Sequence, residues 1–180
     1  MTGRFIAIVG PSGVGKDSVM EAMAARDPRL VLARRVVTRP SGAGGEDFEG
    51  VSAKEFEARH EAGQFALCWS AHGLHYGVPV NVDTMLQAGR DVLANLSRTM
   101  LETARTRFQH SEVIALTATR DVLENRLRVR GREDSEAIAG RLRRSDYTLP
   151  KSIPAHVIDN SGPLEQTVEQ ALGLLYPVTV

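Results

Sequence analysis

The apolar run Phe5-Ile6-Ala7-Ile8-Val9, followed at once by Gly10-Pro11-Ser12-Gly13-Val14-Gly15-Lys16, constrains this chain more than any other feature. Five consecutive apolar residues ending at a glycine predict a short strand buried on both faces, as in the middle of a parallel sheet. The next seven residues have the spacing G-x-x-x-x-G-K. Glycines let the backbone wrap close to a polyphosphate, so that successive N–H groups point at its oxygens, and Lys16 adds a point charge for the β- and γ-phosphates. A helix predicted over residues 17–26, with Val19, Met20 and Met23 on one face, brings its positive end to the same place. Strand, phosphate loop and helix in that order open an α/β domain with a parallel sheet.

The position after Lys16 usually carries a serine or threonine hydroxyl that holds Mg²⁺. Here it is Asp17, with Ser18 next. A carboxylate is also a hard oxygen ligand suited to Mg²⁺. The strand expected near residues 92–96 lacks the acid that often assists the metal, which favours Asp17 as a substitute, with Ser18 as the other candidate ligand. The plainer role for Asp17 is to complement the helix dipole.

Composition narrows the partners. The 180 residues carry 22 Lys+Arg and 22 Asp+Glu, and such a balance argues against a general nucleic-acid or membrane-surface binder. Only Lys16, Lys54 and Lys151 are lysines, so the positive charge is nearly all arginine, the cation suited to bidentate phosphate contacts. Cys68 is the single cysteine, which excludes an intrachain disulfide, and no apolar stretch reaches the roughly 18 residues of a membrane span. A cytoplasmic protein of one domain is expected.

Further along, a second strand is expected over residues 30–37. An inserted lobe is expected over about 38–82, beginning at Thr38-Arg39-Pro40 and the glycine-rich stretch 41–46. Ser52 and Glu55 have capping-box spacing before a helix at 53–62, which Gly63 stops. Strands at 65–69 and 74–76 flank a turn at His72-Gly73. The α/β rhythm resumes with strands at 91–96, 113–116 and 156–159, and helices ending at Phe108, at 121–130, at 135–144 and at 164–175. His72 and His75 lack a third ligand for a metal site, and Trp69 and Phe65 are expected in the lobe core.

The phosphate loop, Thr38-Arg39-Pro40, Gly45-Glu46, Val51-Ser52 with Glu55-Phe56, Gly73 with Tyr76-Gly77, and Arg126-Leu127 to Arg130-Gly131 fall in an order that resembles guanylate kinases over essentially the whole chain. The resemblance implies a P-loop NTPase core of three layers, α/β/α, with an inserted acceptor-binding lobe and an arginine-rich lid at about 126–144. It implies ATP as donor with Mg²⁺. Gly10 to Ser18 would form the donor site, and Asn160 after the last strand would lie where this family contacts the donor base, unless it is a simple strand-end turn residue. Arg39 and Tyr76 match the residues that grip the acceptor phosphate. Arg126 and Arg130, spaced to share a helix face, match lid arginines, with Arg132, Arg141 and Arg144 as further candidates.

The departures concern the base. Leu67 stands where guanylate kinases carry an acid that grips guanine, and Val78 where they carry a hydroxyl. Asn95 and Ser97 replace an acidic pair, Gly42 replaces an arginine and Phe48 a tyrosine. A site built to hydrogen-bond a base loses selectivity by orders of magnitude without those partners. Together with Gly15-Lys16-Asp17-Ser18, residues 71–79, Asn95-Leu96-Ser97-Arg98 and residues 157–162, this pattern resembles the ribose 1,5-bisphosphate phosphokinases of phosphonate degradation. What that implies is phosphoryl transfer to a small phosphorylated sugar, giving 5-phosphoribosyl 1-diphosphate. Arg35 and Arg98 are then candidates for the second acceptor phosphate. Two other readings stay open: a guanylate kinase or other small-acceptor kinase, and an inactive guanylate-kinase-like module that binds protein.

Overall fold

The computed structural model describes residues 2–40, 47–130, 149 and 152–177, with Arg130 described in its backbone alone. Strand β1 (Phe5–Val9) is buried at every position and lies in the centre of a five-stranded parallel sheet. The other strands of that sheet are β2 (Leu30–Leu32), β7 (Asp91–Asn95), β8 (Ser111–Thr117) and β9 (His156–Asp159), in the spatial order β2-β7-β1-β8-β9. Strand alternation divides β1 between two cores. Ile6 and Ile8 pack with Val19 and Met23 of α1 (Lys16–Arg26), Leu123 and Leu127 of α5 (Arg120–Arg130), and Val168 of α6 (Leu164–Leu175). Phe5, Ala7 and Val9 face the other side, toward Val82 of α3 (Asn81–Gln87) and Leu101 and Ala104 of α4 (Leu101–Arg107). The Phe5 ring stacks on Phe108 at 4.1 Å between centroids. Helices thus cover both faces of the sheet, as the phosphate-loop core requires.

The chain expected as one strand over residues 30–37 is two. After Leu32 it leaves the edge of the parallel sheet, passes Arg34-Arg35, and resumes as β3 (Val36–Val37) in a second sheet. There β3 pairs parallel with β4 (Glu49–Gly50) and antiparallel with β6 (Leu74–Pro79), and β6 pairs with β5 (Phe65–Ala71). The apolar pattern is alike on both sides of the two arginines, so it does not reveal that the partner strands change.

The lobe follows local rules closely. Ser52 Oγ accepts the Glu55 N–H at 3.1 Å at the start of α2 (Ala53–Glu61), and the Glu55 carboxylate pairs with Arg59. His72 (φ 54°) and Gly73 (φ 74°) are both left-handed, the geometry of a two-residue hairpin turn whose twist matches its strands. That turn sets Trp69 opposite Tyr76 and Leu67 opposite Val78. The Phe65 ring lies where a Cβ at Gly77 would approach within 2.5 Å, so the glycine makes room for the aromatic ring.

At the end of the sheet away from the phosphate loop, the Arg4 guanidinium bonds Asp91 at 2.7 Å and Glu112 at 2.6 Å, and Tyr176 Oη donates to Asp91 at 2.7 Å. These contacts join β1, β7, β8 and the end of α6. Burial pushes the Asp91 carboxyl up, but the hydrogen bonds from Arg4 and Tyr176 outweigh it and hold the group below the usual carboxylate range. The helix expected at 135–144, Gly45-Glu46, Gly131, Arg132, Arg141 and Arg144 lie outside the described residues.

Candidate active site

A cleft of about 710 Å³ opens at the carboxyl ends of β1 and β7 and is roofed by the lobe. Ligands of open parallel sheets bind at this edge, because loops and helix N-termini converge there. One wall is the phosphate loop, and Gly13 (φ 84°) and Gly15 (φ 93°) take left-handed conformations that side-chain-bearing residues rarely adopt. Lys16 Nζ donates to the carbonyls of Gly10 at 3.0 Å and Pro11 at 3.3 Å, spanning the mouth of the loop. Pro11, Ser12, Asp17 and Ser18 also line the cleft.

The loop is braced from behind. Asn160 is 3% exposed; its Nδ2 donates to the Val14 carbonyl at 2.7 Å, while its Oδ1 accepts from Thr167 Oγ1 at 2.7 Å. Arg126 Nη1 donates to the same Val14 carbonyl at 3.2 Å, and its Nη2 to the Asn160 carbonyl at 2.9 Å. Asn160, expected near the donor base or as a strand-end residue, has both ends of its amide bonded to protein and braces the loop. Arg126 reaches the loop from α5, but through carbonyls. The Arg130 side chain is outside the described atoms.

Asp17, in the first turn of α1, accepts from Asn95 Nδ2 at 2.8 Å. Asn95 is the last residue of β7 and is buried. Oxygen donors at the loop exit, a carboxylate with a hydroxyl beside it, form a set that fits a hard divalent cation.

The opposite wall belongs to the lobe. Arg39 lies over the Phe48 ring at 4.4 Å, and its Nε is buried without a hydrogen-bond partner, alone in this among the described residues. Arg35 is 8% exposed, with its guanidinium 5.7 Å from the Trp69 ring and 5.3 Å from the Tyr76 ring, and those rings stack on each other. Arg98, in a 3₁₀ turn after β7, completes the rim. Thus Arg35, Arg39, Tyr76 and Arg98, far apart in sequence, line one cleft with the loop.

Trp69 packs against the core, as the sequence suggested, and its other side lines this cleft. Phe48, which the resemblance set in the place of a lobe tyrosine, also lines the wall, and Leu74 is a further wall residue that sequence reasoning missed. The signal for Trp69 was available: a two-residue turn at His72-Gly73 fixes Trp69 opposite Tyr76, on the same face. Leu67 and Val78 lie one pair further along that face, 4% and 0% exposed, packed in the hydrophobic core and outside the lining of the cleft. His75 bonds Ser70 Oγ at 2.8 Å and stacks on Phe56, while His72 sits in the turn.

Comparison with known proteins agrees with this geometry. The family model of guanylate kinase matches residues 2–172. The chain is 47% identical over 174 residues to ribose 1,5-bisphosphate phosphokinase PhnN from Ruegeria sp. (strain TM1040), covering 96% of this chain and 92% of that one. It is 45% identical over 181 residues to the protein of the same name from Pseudomonas fluorescens (strain SBW25), covering 96% and 94%. Among solved structures, guanylate kinase from Anaplasma phagocytophilum superposes with a TM-score of 0.67 at 20% identity, over 97% of this chain and 85% of that one, a likeness of fold. ATP as phosphate donor goes with the kinase family. With its phosphate loop, its lobe and its full-length similarity, the chain belongs to the guanylate kinase family and, within it, to the ribose 1,5-bisphosphate phosphokinases.

Proposed function

We propose that this protein transfers the γ-phosphoryl group of ATP to ribose 1,5-bisphosphate, releasing ADP and 5-phosphoribosyl 1-diphosphate. The observation that carries this reading is the lobe wall. It keeps a buried, partnerless Arg39 Nε for an acceptor phosphate and brings Arg35, Trp69 and Tyr76 to the same cleft, while Leu67 and Val78, at the positions where the guanylate kinase pattern has an acid and a hydroxyl, are buried in the core behind it. A guanylate acceptor would find no acid at Leu67 and no hydroxyl at Val78.

An oxygen of the sugar 1-phosphate attacks the γ-phosphorus, and the bond from that phosphorus to the β-phosphate oxygen breaks, so ADP leaves with the electron pair. The attacking oxygen is anionic near neutral pH, so no general base is needed. Catalysis rests on placement and on neutralising the charge of the transferring group. The loop amides hold the donor phosphates, and Lys16 turns from the Gly10 and Pro11 carbonyls toward them. Arg39 and Tyr76 hold one acceptor phosphate, and Arg35 and Arg98 meet the other. Arg126, and Arg130 further along the same helix, would add positive charge for the transferring group. Asp17, with Ser18 beside it, would hold Mg²⁺, which would supply positive charge to offset that of the donor phosphates. Among the described residues no three His, Cys, Asp or Glu side chains gather into a metal cage. A Mg²⁺ that draws most of its ligands from phosphate and water needs only one or two carboxylates. Among the described residues no helix is long and apolar enough to cross a membrane, and use of ATP suits the cytoplasmic location expected from the sequence.

The test is ADP release from ATP with ribose 1,5-bisphosphate or GMP offered separately. Turnover with the sugar bisphosphate and none with GMP is expected. Turnover with GMP, or with neither, overturns the reading.

A further inference from the structure

The bond between Asn95 and Asp17 joins the end of a core strand to the first turn of the phosphate-loop helix, and both residues line the cleft. Asn95 is 7% exposed, so its amide is held by packing and directs an N–H at Asp17 Oδ1 at 2.8 Å. Asp17 Oδ2 has no protein partner among the described residues. The two side chains are nearly the same size and differ in charge. A carboxylate at both places would set two anions in hydrogen-bond contact, which disfavours ionising both. An amide at both places would leave this point of the cleft without an anionic ligand. One of each gives a single carboxylate whose orientation is fixed by a neutral donor.

We infer that Asn95 is a positioning residue for the divalent cation: its amide fixes the Asp17 carboxylate so that Oδ2 is presented to the metal beside the donor phosphates, and positions 17 and 95 work as one coupled pair. This rests on the kinase reading of the cleft. Partners of this kind that orient a metal ligand commonly change metal affinity by about 10- to 100-fold. The pair has a consequence that an ordinary packing contact lacks. Exchanging the two side chains keeps one carboxylate, one amide and the hydrogen bond between them.

The experiment measures how much saturating Mn²⁺ tightens binding of a non-hydrolysable ATP analogue, from calorimetric titrations with and without the metal. Asn95→Ala is expected to shrink that tightening by about tenfold, while metal-free analogue affinity stays within twofold. Asp17→Asn is expected to shrink it further. The exchanged double variant, Asp17→Asn with Asn95→Asp, is expected to recover most of the loss, and it keeps the test decisive should Asn95→Ala melt early. Unchanged metal coupling in Asn95→Ala overturns the inference. So does a parallel loss of metal-free affinity, or an exchanged variant no better than Asp17→Asn. No acceptor enters the measurement, so its outcome is independent of whether the sugar bisphosphate is the substrate.

Discussion

The two walls of the cleft are built by different means, and on the proposed function each meets phosphate in its own way. The loop wall uses backbone, and its shape is set by left-handed glycines and by braces from Asn160 and Arg126 onto the Val14 carbonyl. The lobe wall uses side chains, with arginines laid on aromatic faces: Arg39 on Phe48, and Arg35 beside the stacked Trp69 and Tyr76. A backbone site tolerates little change, because most substitutions alter its φ angles or its braces. A side-chain site can change ligand by exchanging residues on an intact hairpin. On the proposed function, the contrast fits a loop that keeps the kinase pattern and a lobe that departs from the guanylate kinase pattern at Leu67, Val78 and Phe48.

The largest effects should come from removing charge at each wall. Lys16→Met is expected to lower kcat by about 10²–10³, the scale for losing one donor aimed at transition-state charge. Its melting temperature should stay within a degree or two of the parent by calorimetry. Arg39→Gln is expected to raise KM for the acceptor about 10- to 100-fold, from the loss of a charge-assisted contact worth roughly 1.5–3 kcal/mol. Its KM for ATP, read from the same steady-state assays, should hold within twofold. If Arg39→Gln weakened ATP and acceptor alike, the two walls would not be separable.

A smaller effect tests the bracing. Asn160→Ala leaves the buried Thr167 hydroxyl without its acceptor and removes one of two donors to Val14, a cost of about 1–3 kcal/mol in urea unfolding. Its ATP affinity should fall as the loop loosens, while acceptor KM changes little. The smallest effect lies at the far end of the sheet. Asp91 is held below its ordinary range when folded, so the stability it contributes is present above the unfolded carboxylate pKa, near about 4, and is lost as pH falls through the folded value. Tyr176→Phe removes one of the bonds that hold Asp91 down. The acid unfolding midpoint should therefore move to higher pH, with both substrate KM values unchanged at pH 7.

Much of this was legible in the sequence, for local reasons. The phosphate loop, the Ser52 cap, the His72-Gly73 turn and helix α6 are each written within a few neighbouring residues, and α6 spans Leu164–Leu175 as expected. The rest depended on distant partners. The break at Arg34-Arg35 arises because Val36 and Val37 pair with Tyr76 and Gly77, which no local pattern shows. Helix α3, seven residues at the exit of the lobe, carried no periodic signal long enough to separate it from loop. The bonds of Asn160 to Val14 and Thr167 could not be read from sequence, because strand order sets which groups lie behind the loop. The Asn95–Asp17 contact spans 78 residues, and the sequence showed only that an acid was absent at one position and present at another.

The central claim is that the lobe reads a second phosphate where relatives of the same fold read a base, and that Arg35 is the cation that does so. Steady-state kinetics of Arg35→Met, which keeps an unbranched side chain and removes the charge beside Trp69 and Tyr76, tests it most directly. KM for ribose 1,5-bisphosphate should rise about 10- to 100-fold, the loss of a charge-assisted phosphate contact, with KM for ATP within twofold. An unchanged acceptor KM, or an equal rise for both substrates, would contradict the account.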